Sequence, residues 1–186
     1  MLDTKFFLNL KNKNRLKSLD LIKKAYDFSK SKHLGQYRDD GKDYITHPIA
    51  VAEILSNMGL DSPTIITALL HDVVEDSSVT IKDIKKIFGL EISKLVDGVT
   101  KLTRIELKFG LAQAENFRKL LISSSDDIRV LLIKLADRLH NIRTIEGIKD
   151  KTRQIKICKE TLEIYVPLAE RLGIVGIQSE LEEKCF

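Results

Sequence analysis

Turn-forming residues are scarce in this chain, and that limits its fold more than any other feature. Only nine Gly and three Pro are spread over 186 residues. A chain with so few places to reverse direction favours helices over many short strands. The apolar spacing agrees. Leu16, Leu19, Ile22, Ala25 and Tyr26 recur on one helical face, which predicts a helix over about residues 15–32. Residues 34–46 are polar, hold two glycines and read as a loop. Pro48 stands where a first-turn proline belongs, opening a helix that runs to Met58 and stops at Gly59. Ser62-Pro63 repeats the signal for a helix reaching about Val74. Thr80 with Asp83 forms a capping box before a short helix ending at Gly89. The pattern continues with a helix over about 91–102, loosened by Gly98, a mobile loop over 104–110, and a helix over 112–122. Ser124 or Ser125, followed by Asp126 and Asp127, caps the most apolar helix of the chain, which ends near Arg143. A long helix over 150–171, bent at Pro167, and a last one over 175–184 complete the pattern. No convincing alternating strand occurs. The expected fold is an all-α, irregular helical bundle, a single domain over residues 1–186 with its core over about 15–186.

Composition narrows the function classes. The chain is 43% hydrophobic but only 6% aromatic and has no Trp, so its core must be built from Leu, Ile, Val and Ala. The net charge of +4 suits a polyanionic ligand. Nucleic acid is not expected, because 27 acidic residues nearly match 31 basic ones and no basic run has interleaved aromatics. No stretch approaches the ~20 apolar residues of a membrane span. The first ten residues are too short and polar for a signal peptide. Cys158 and Cys185 stand alone, without a Cys-x-x-Cys pair, and fit a reducing, cytoplasmic setting.

Four residues have the chemistry of one metal site: His47, His71, Asp72 and Asp137, drawn from three predicted helices. Imidazole nitrogen and carboxylate oxygen together suit a borderline divalent ion such as Mn²⁺, Fe²⁺ or Zn²⁺, and the set does not choose among them. His71 and Asp72 are adjacent, about 100° apart on a helix, and alone would read as a surface pair. Glu75 and Asp76 follow four residues later, on the same face. Acids at a helix C-terminus oppose the dipole, and a bound cation would compensate them. Asp137, His140, Asn141 and Thr144 make a polar stripe on a helix whose opposite side carries Val130, Leu131, Ile133 and Leu135. A polar stripe on a helix apolar enough to be central reads as a pocket wall.

At this point the chain resembles the hydrolase domain of the RelA/SpoT homologue family. The stretches that carry the resemblance are Gly35-Gln36-Tyr37-Arg38, Tyr44-Ile45-Thr46-His47-Pro48, Leu70-His71-Asp72-Val73-Val74-Glu75-Asp76, Leu95-Val96-Asp97-Gly98-Val99-Thr100-Lys101-Leu102 and Ala114-Glu115-Asn116. Asp127-Ile128-Arg129-Val130, Lys134-Leu135-Ala136-Asp137-Arg138-Leu139-His140-Asn141, and Tyr165 with Pro167-Leu168-Ala169 follow in the family's order. The resemblance implies an HD-domain helical bundle that hydrolyses the 3′-pyrophosphate of (p)ppGpp to GDP or GTP and pyrophosphate. It implies that His47, His71, Asp72 and Asp137 hold one Mn²⁺ and that Glu75 and Asp76 handle the nucleophilic water. Arg38 would pack on guanine, and Asn141 and Thr144 would hold the nucleoside. The partner implied is a guanosine polyphosphate. Three departures keep alternatives open. Asp39 and Asp40 follow Arg38 where the family has a basic and then a small residue. The loops before Ala114 and after Thr144 differ from the family's. The chain also stops near where the family's synthetase region would begin. The alternatives are an HD phosphohydrolase acting on another nucleotide, such as NADPH, and a non-catalytic alarmone-binding remnant of a longer protein.

Overall fold

The computed structural model describes residues 2–12, 18–108 and 126–186. Its elements are α1 (Leu2–Asn12), α2 (Leu19–Lys32), α3 (Thr46–Asn57), α4 (Ser62–Leu70), the single turn α5 (Val73–Asp76), α6 (Ile81–Phe88), α7 (Leu90–Lys108), α8 (Ile128–Arg143), α9 (Lys151–Glu160), α10 (Val166–Arg171) and α11 (Val175–Cys185). A 3-10 turn (Ile145–Gly147) follows α8. Among the described residues there is no strand beyond one isolated bridge, Tyr37 with Asp43. The fold is all-α, as the shortage of turn formers predicts.

The core is aliphatic. Leu55, Ile65, Ile66, Leu69, Leu70 and Leu102 are among its fully buried side chains. α1 adds Phe6 and Leu10 to the same cluster, so the packed core reaches upstream of residue 15. Helix α4 packs on α2, α3, α7 and α8, and α8 packs on α3, α7 and α11 as well. Arg129 ties three helix starts together. Its guanidinium lies 2.9 Å from Asp61 at the cap of α4, 2.9 Å from Glu91 at the start of α7 and 2.7 Å from Asp127 at the cap of α8.

Local chemistry explains most boundaries. Thr80 and Asp83 make the reciprocal capping box that their spacing predicts. Gly59 adopts φ +81°, which suits it to end α3. Four expectations need correction. First, α4 does not reach Val74. It ends at Leu70, His71 and Asp72 form a turn, and α5 starts anew, so the two site residues sit at a helix break. Second, residues 104–108 are helical, not loop, and Gly98 does not loosen α7. A Cβ at Gly98 would stand 2.8 Å from Val130 Cγ2, so glycine is there to let α7 and α8 approach closely. Third, the cap of α8 is Asp127, whose side chain accepts from Arg129 N. Ser124, Ser125 and the predicted 112–122 helix lie outside the described residues. Fourth, the long 150–171 helix is interrupted before Pro167 by a π-helical turn (Thr161–Tyr165). Proline lacks an N–H and its ring crowds the preceding turn, so the chain widens just ahead of it.

Candidate metal and nucleotide site

Helix α3 carries His47 in its first turn, the α4–α5 break carries His71 and Asp72, and the middle of α8 carries Asp137. The two imidazoles are buried. His47 Nε2 lies 3.2 Å from Asp137 Oδ1 and 3.6 Å from Asp72 Oδ2. His71 Nε2 lies 3.2 Å from Asp72 Oδ1 and 4.0 Å from Asp137 Oδ1. One ligating atom each from His47, His71 and Asp137 falls within 4.8 Å of the others. Asp72 is not part of that trio, although it lies 3.6 Å from His47 and 3.2 Å from His71. The three-helix convergence read from the sequence is thus present.

The donor set fits a cation. His71 Nδ1 stands 2.7 Å from the carbonyl oxygen of Ala68 and must donate to it. That leaves Nε2 buried among the carboxylates, 3.2 Å from Asp72 Oδ1 but in no hydrogen bond of good geometry. A buried polar atom without a partner is costly, and a bound cation would satisfy it. Without one, a proton substitutes. Burial opposes the charge on His71, but Asp72 and then Asp137 outweigh it and push the pKa up to about 9. Burial works against ionised Asp72 too, yet the nearby imidazoles hold its pKa well below the usual carboxylate range. Asp137 is held low as well: burial is overcome by Lys134 and His47.

Around this centre several side chains hydrogen-bond to the carboxylates. Lys134 Nζ donates to Asp137 Oδ2 at 3.1 Å and Asn141 Nδ2 to Asp137 Oδ1 at 2.8 Å. Tyr44 Oη donates to Asp72 Oδ2 at 2.8 Å. Glu75 and Asp76, read from the sequence as a pair on one face, diverge, as neighbours about 100° apart on the α5 turn must. Glu75 is directed towards Lys134 and Thr103, whereas Asp76 is directed towards Tyr44 and His33. Burial, then repulsion from Asp72, raises Glu75 to about 7. The same two causes raise Asp76, while the Tyr44 hydroxyl restrains it.

A cleft of about 570 Å³ opens from this cluster and reaches it through Asp137 and Lys134. One wall is Arg38, Asp39 and Asp40. The floor is α8, with Arg138, Asn141 and Thr144, and the far wall is α9, with Arg153, Lys156, Ile157 and Glu160. Arg38 Nη2 donates to Asn141 Oδ1 at 2.8 Å and to Thr144 Oγ1 at 3.4 Å, and its guanidinium lies 5.8 Å from the Tyr44 ring centroid. Arg38, Asn141 and Asp137 therefore form one hydrogen-bonded chain from cleft to metal cluster. Asp39 and Asp40 are matched by cations: Asp39 pairs with Arg153 at 3.3 Å and Asp40 with Lys42 at 2.7 Å. Sequence reasoning gave no role to Lys134 or Tyr44 and placed His140 only in a pocket wall. Lys134 and His140 carried a usable signal, since both stand three residues from Asp137. Arg153 carried none, being 114 residues from Asp39.

The profile of the HD-domain family matches residues 25–175, a span that contains every residue of the cluster. The chain belongs to the HD-domain family. Within that family its similarity is to RelA/SpoT proteins. It is 49% identical over 172 residues to a GTP pyrophosphokinase of Myxococcus xanthus, a match covering 90% of this chain and 23% of that protein. It is 50% identical over 166 residues to the bifunctional (p)ppGpp synthase/hydrolase SpoT of Escherichia coli K12, covering 89% and 24%. The chain thus spans about a quarter of the curated relatives it matches. Among solved structures it resembles a metazoan SpoT orthologue that hydrolyses ppGpp, with a TM-score of 0.71 and 29% identity, covering 88% of this HD chain and 93% of that one. No described helix is long and apolar enough to cross a membrane.

Proposed function

We propose that this HD domain hydrolyses the 3′-pyrophosphate of (p)ppGpp, releasing pyrophosphate and GDP or GTP. The observation that carries the reading is the buried His71 Nε2, 3.2 Å from Asp72 and 4.0 Å from Asp137, beside a glutamate of near-neutral pKa at the end of a nucleotide-sized cleft. His47, His71, Asp72 and Asp137 would hold one divalent ion, with Mn²⁺ as the ion the resemblance implies. Such an ion, when bound, supplies Lewis acidity to a water and to a phosphoryl oxygen. The remaining steps belong to the chain. Glu75, poised near neutrality, takes the proton of the attacking water, as a general base at neutral pH requires. Asp76, restrained by Tyr44, orients that water and passes a proton on towards the departing 3′-oxygen. Arg38 offers a planar cation to the purine, and Asn141 and Thr144 present polar atoms to the nucleoside.

Some relatives bear the name of a pyrophosphokinase, but they are about four times longer than this chain. A solved neighbour that matches nearly end to end is described as hydrolysing ppGpp. A second substrate, another phosphorylated nucleotide such as NADPH, is favoured by one feature: Asp39 and Asp40 place two acids on the cleft wall. The test is direct. Purified chain with Mn²⁺ is given ppGpp, pppGpp, NADPH and simple phosphoesters, and released pyrophosphate and phosphate are measured separately. Pyrophosphate from the alarmones alone supports the proposal. Phosphate from NADPH alone replaces it with the second reading, and binding of ppGpp without turnover makes the chain an alarmone binder.

A further inference from the structure

His140 has no task in the mechanism above, yet it touches a buried histidine of the metal cluster. It stands on α8 one turn beyond Asp137, and its Nδ1 lies 2.7 Å from Nδ1 of His47, with ring centroids 4.8 Å apart. Two imidazole nitrogens at that distance form a hydrogen bond, so one carries the hydrogen and the other is bare. The other nitrogen of His47, Nε2, faces Asp137 Oδ1 and Asp72 Oδ2. A neutral imidazole has one hydrogen. If Nε2 is to give its lone pair to a cation, that hydrogen must sit on Nδ1 and needs an acceptor there. His140 Nδ1 is that acceptor.

The two histidines of the cluster solve this problem differently. His71 is oriented by the main-chain carbonyl of Ala68, which any residue at position 68 would supply. His47 depends on a side chain. Without a cation, the carboxylates before Nε2 favour the opposite arrangement: His47 carries its hydrogen on Nε2, and His140 donates from Nδ1 to the bare Nδ1 of His47. Both arrangements keep one hydrogen on each ring. They differ only in which nitrogen bears it.

We infer that His140 is a positioning residue whose Nδ1 accepts from His47, so that cation binding and a paired change of tautomer in His47 and His140 occur together. On loading, the hydrogen of His47 resides on Nδ1 and that of His140 on Nε2. The inference rests on the cluster holding a divalent ion.

The test measures the metal and the tautomer rather than turnover. Mn²⁺ affinity of the metal-free chain is measured by calorimetry for wild type, His140→Leu and His140→Asn. Leucine removes the acceptor, whereas asparagine restores an oxygen near the position of Nδ1. The Leu variant should bind Mn²⁺ about 10–100-fold more weakly, the usual cost of losing a partner behind a ligating histidine. The Asn variant should recover most of that loss. Metal-free melting temperatures separate packing from positioning. Equal loss of affinity in both variants with matching drops in melting temperature would show that only the bulk of His140 matters, and would overturn the inference. Imidazole ¹⁵N shifts of the Zn²⁺-loaded protein give the second reading: His140 Nδ1 should be bare, and a hydrogen found there rejects the assignment. If wild type binds neither Mn²⁺ nor Zn²⁺, the metal reading itself falls and takes this inference with it. If wild type binds and His140→Leu binds equally well, only this inference falls.

Discussion

Two helices line the cleft, and they are built in opposite ways. Ten of the sixteen residues of α8 are buried, among them the charged Lys134, Asp137 and Arg138. None of the ten residues of α9 is buried. On α8 these three charges are held by close partners in a low-dielectric setting: Lys134 on Asp137, and Arg138 over the Tyr165 ring at 4.2 Å. On α9 Arg153 meets Asp39 in solvent, with both side chains half exposed, although Glu160 at its end reaches the buried Arg138 at 3.7 Å. Buried groups with fixed partners cannot reorient cheaply, which is what a ligand or a proton-transfer group requires. Exposed ion pairs are worth little and exchange partners easily, which is what ligand entry requires. Substitutions on the buried side should therefore abolish metal binding, chemistry or stability, and those on the exposed side should change affinity.

The largest effect tests the buried side directly. Asp137→Ala or His71→Ala should abolish bound Mn²⁺ and erase the rise in melting temperature that Mn²⁺ confers on the wild type. Unchanged metal content by elemental analysis in both variants would remove these residues from the ligand set. Next comes Glu75→Gln, which should keep the metal and lower the hydrolysis rate by about 10²-fold or more if Glu75 is the general base. A wild-type rate would deny it that role. Third is Gly98→Ala, which forces a methyl against Val130 and should cost about 1–3 kcal/mol in denaturant unfolding, the usual range for overpacking. No loss of stability would mean that α7 and α8 have room to part.

The fourth effect is a pH dependence. His71 is raised from 6.5 to about 9 in the metal-free protein. A histidine raised on folding contributes stability that is complete below its unfolded pKa and is lost as pH rises through the folded value. In the metal-loaded protein His71 Nε2 must be bare, so that contribution is absent throughout. The gap in melting temperature between loaded and metal-free protein should thus widen from pH 6.5 to 9, as the competing proton leaves. A constant gap would show that no proton competes at His71. The smallest effect lies on the exposed side. Asp39→Asn releases Arg153 towards a polyphosphate and should lower KM for ppGpp a few-fold with kcat unchanged, the signature of uniform binding. The gain should shrink in high salt, since these charges are exposed and screened. A change in kcat would mean that α9 takes part in the chemistry after all.

Which parts were legible in the sequence follows the same division between local and long-range causes. The capping box at Thr80 and Asp83, the stop at Gly59 and the helical spacing of α2 and α8 are interactions among near neighbours, so they can be read along the chain. The ligand types could be read as well, because few side chains suit a divalent ion. Gly98 was misread because its reason lies across a helix interface, in Val130. Glu75 and Asp76 were read as one pair because each stands four residues after a site residue, but neighbours on a helical turn point about 100° apart, and their separate partners, Lys134 and Tyr44, come from distant parts of the chain. Cys158 and Cys185, isolated in sequence, are close in the fold. Burial, then a hydrogen bond donated by Cys185 to Cys158, pushes the Cys185 thiol up to about 12.

By itself, then, the sequence determined that this chain would be helical, where most of its helices begin and end, and which residue types could bind a cation. Those properties come from backbone propensity, caps and side-chain chemistry, all confined to a few residues. Only the tertiary structure decided that His71 Nε2 would be buried among carboxylates, that His140 would meet His47, and that Arg153 would answer Asp39 across the cleft. Each of these depends on the crossing of helices far apart in the chain, and on burial, which strengthens a charge or a hydrogen bond only where water has been excluded.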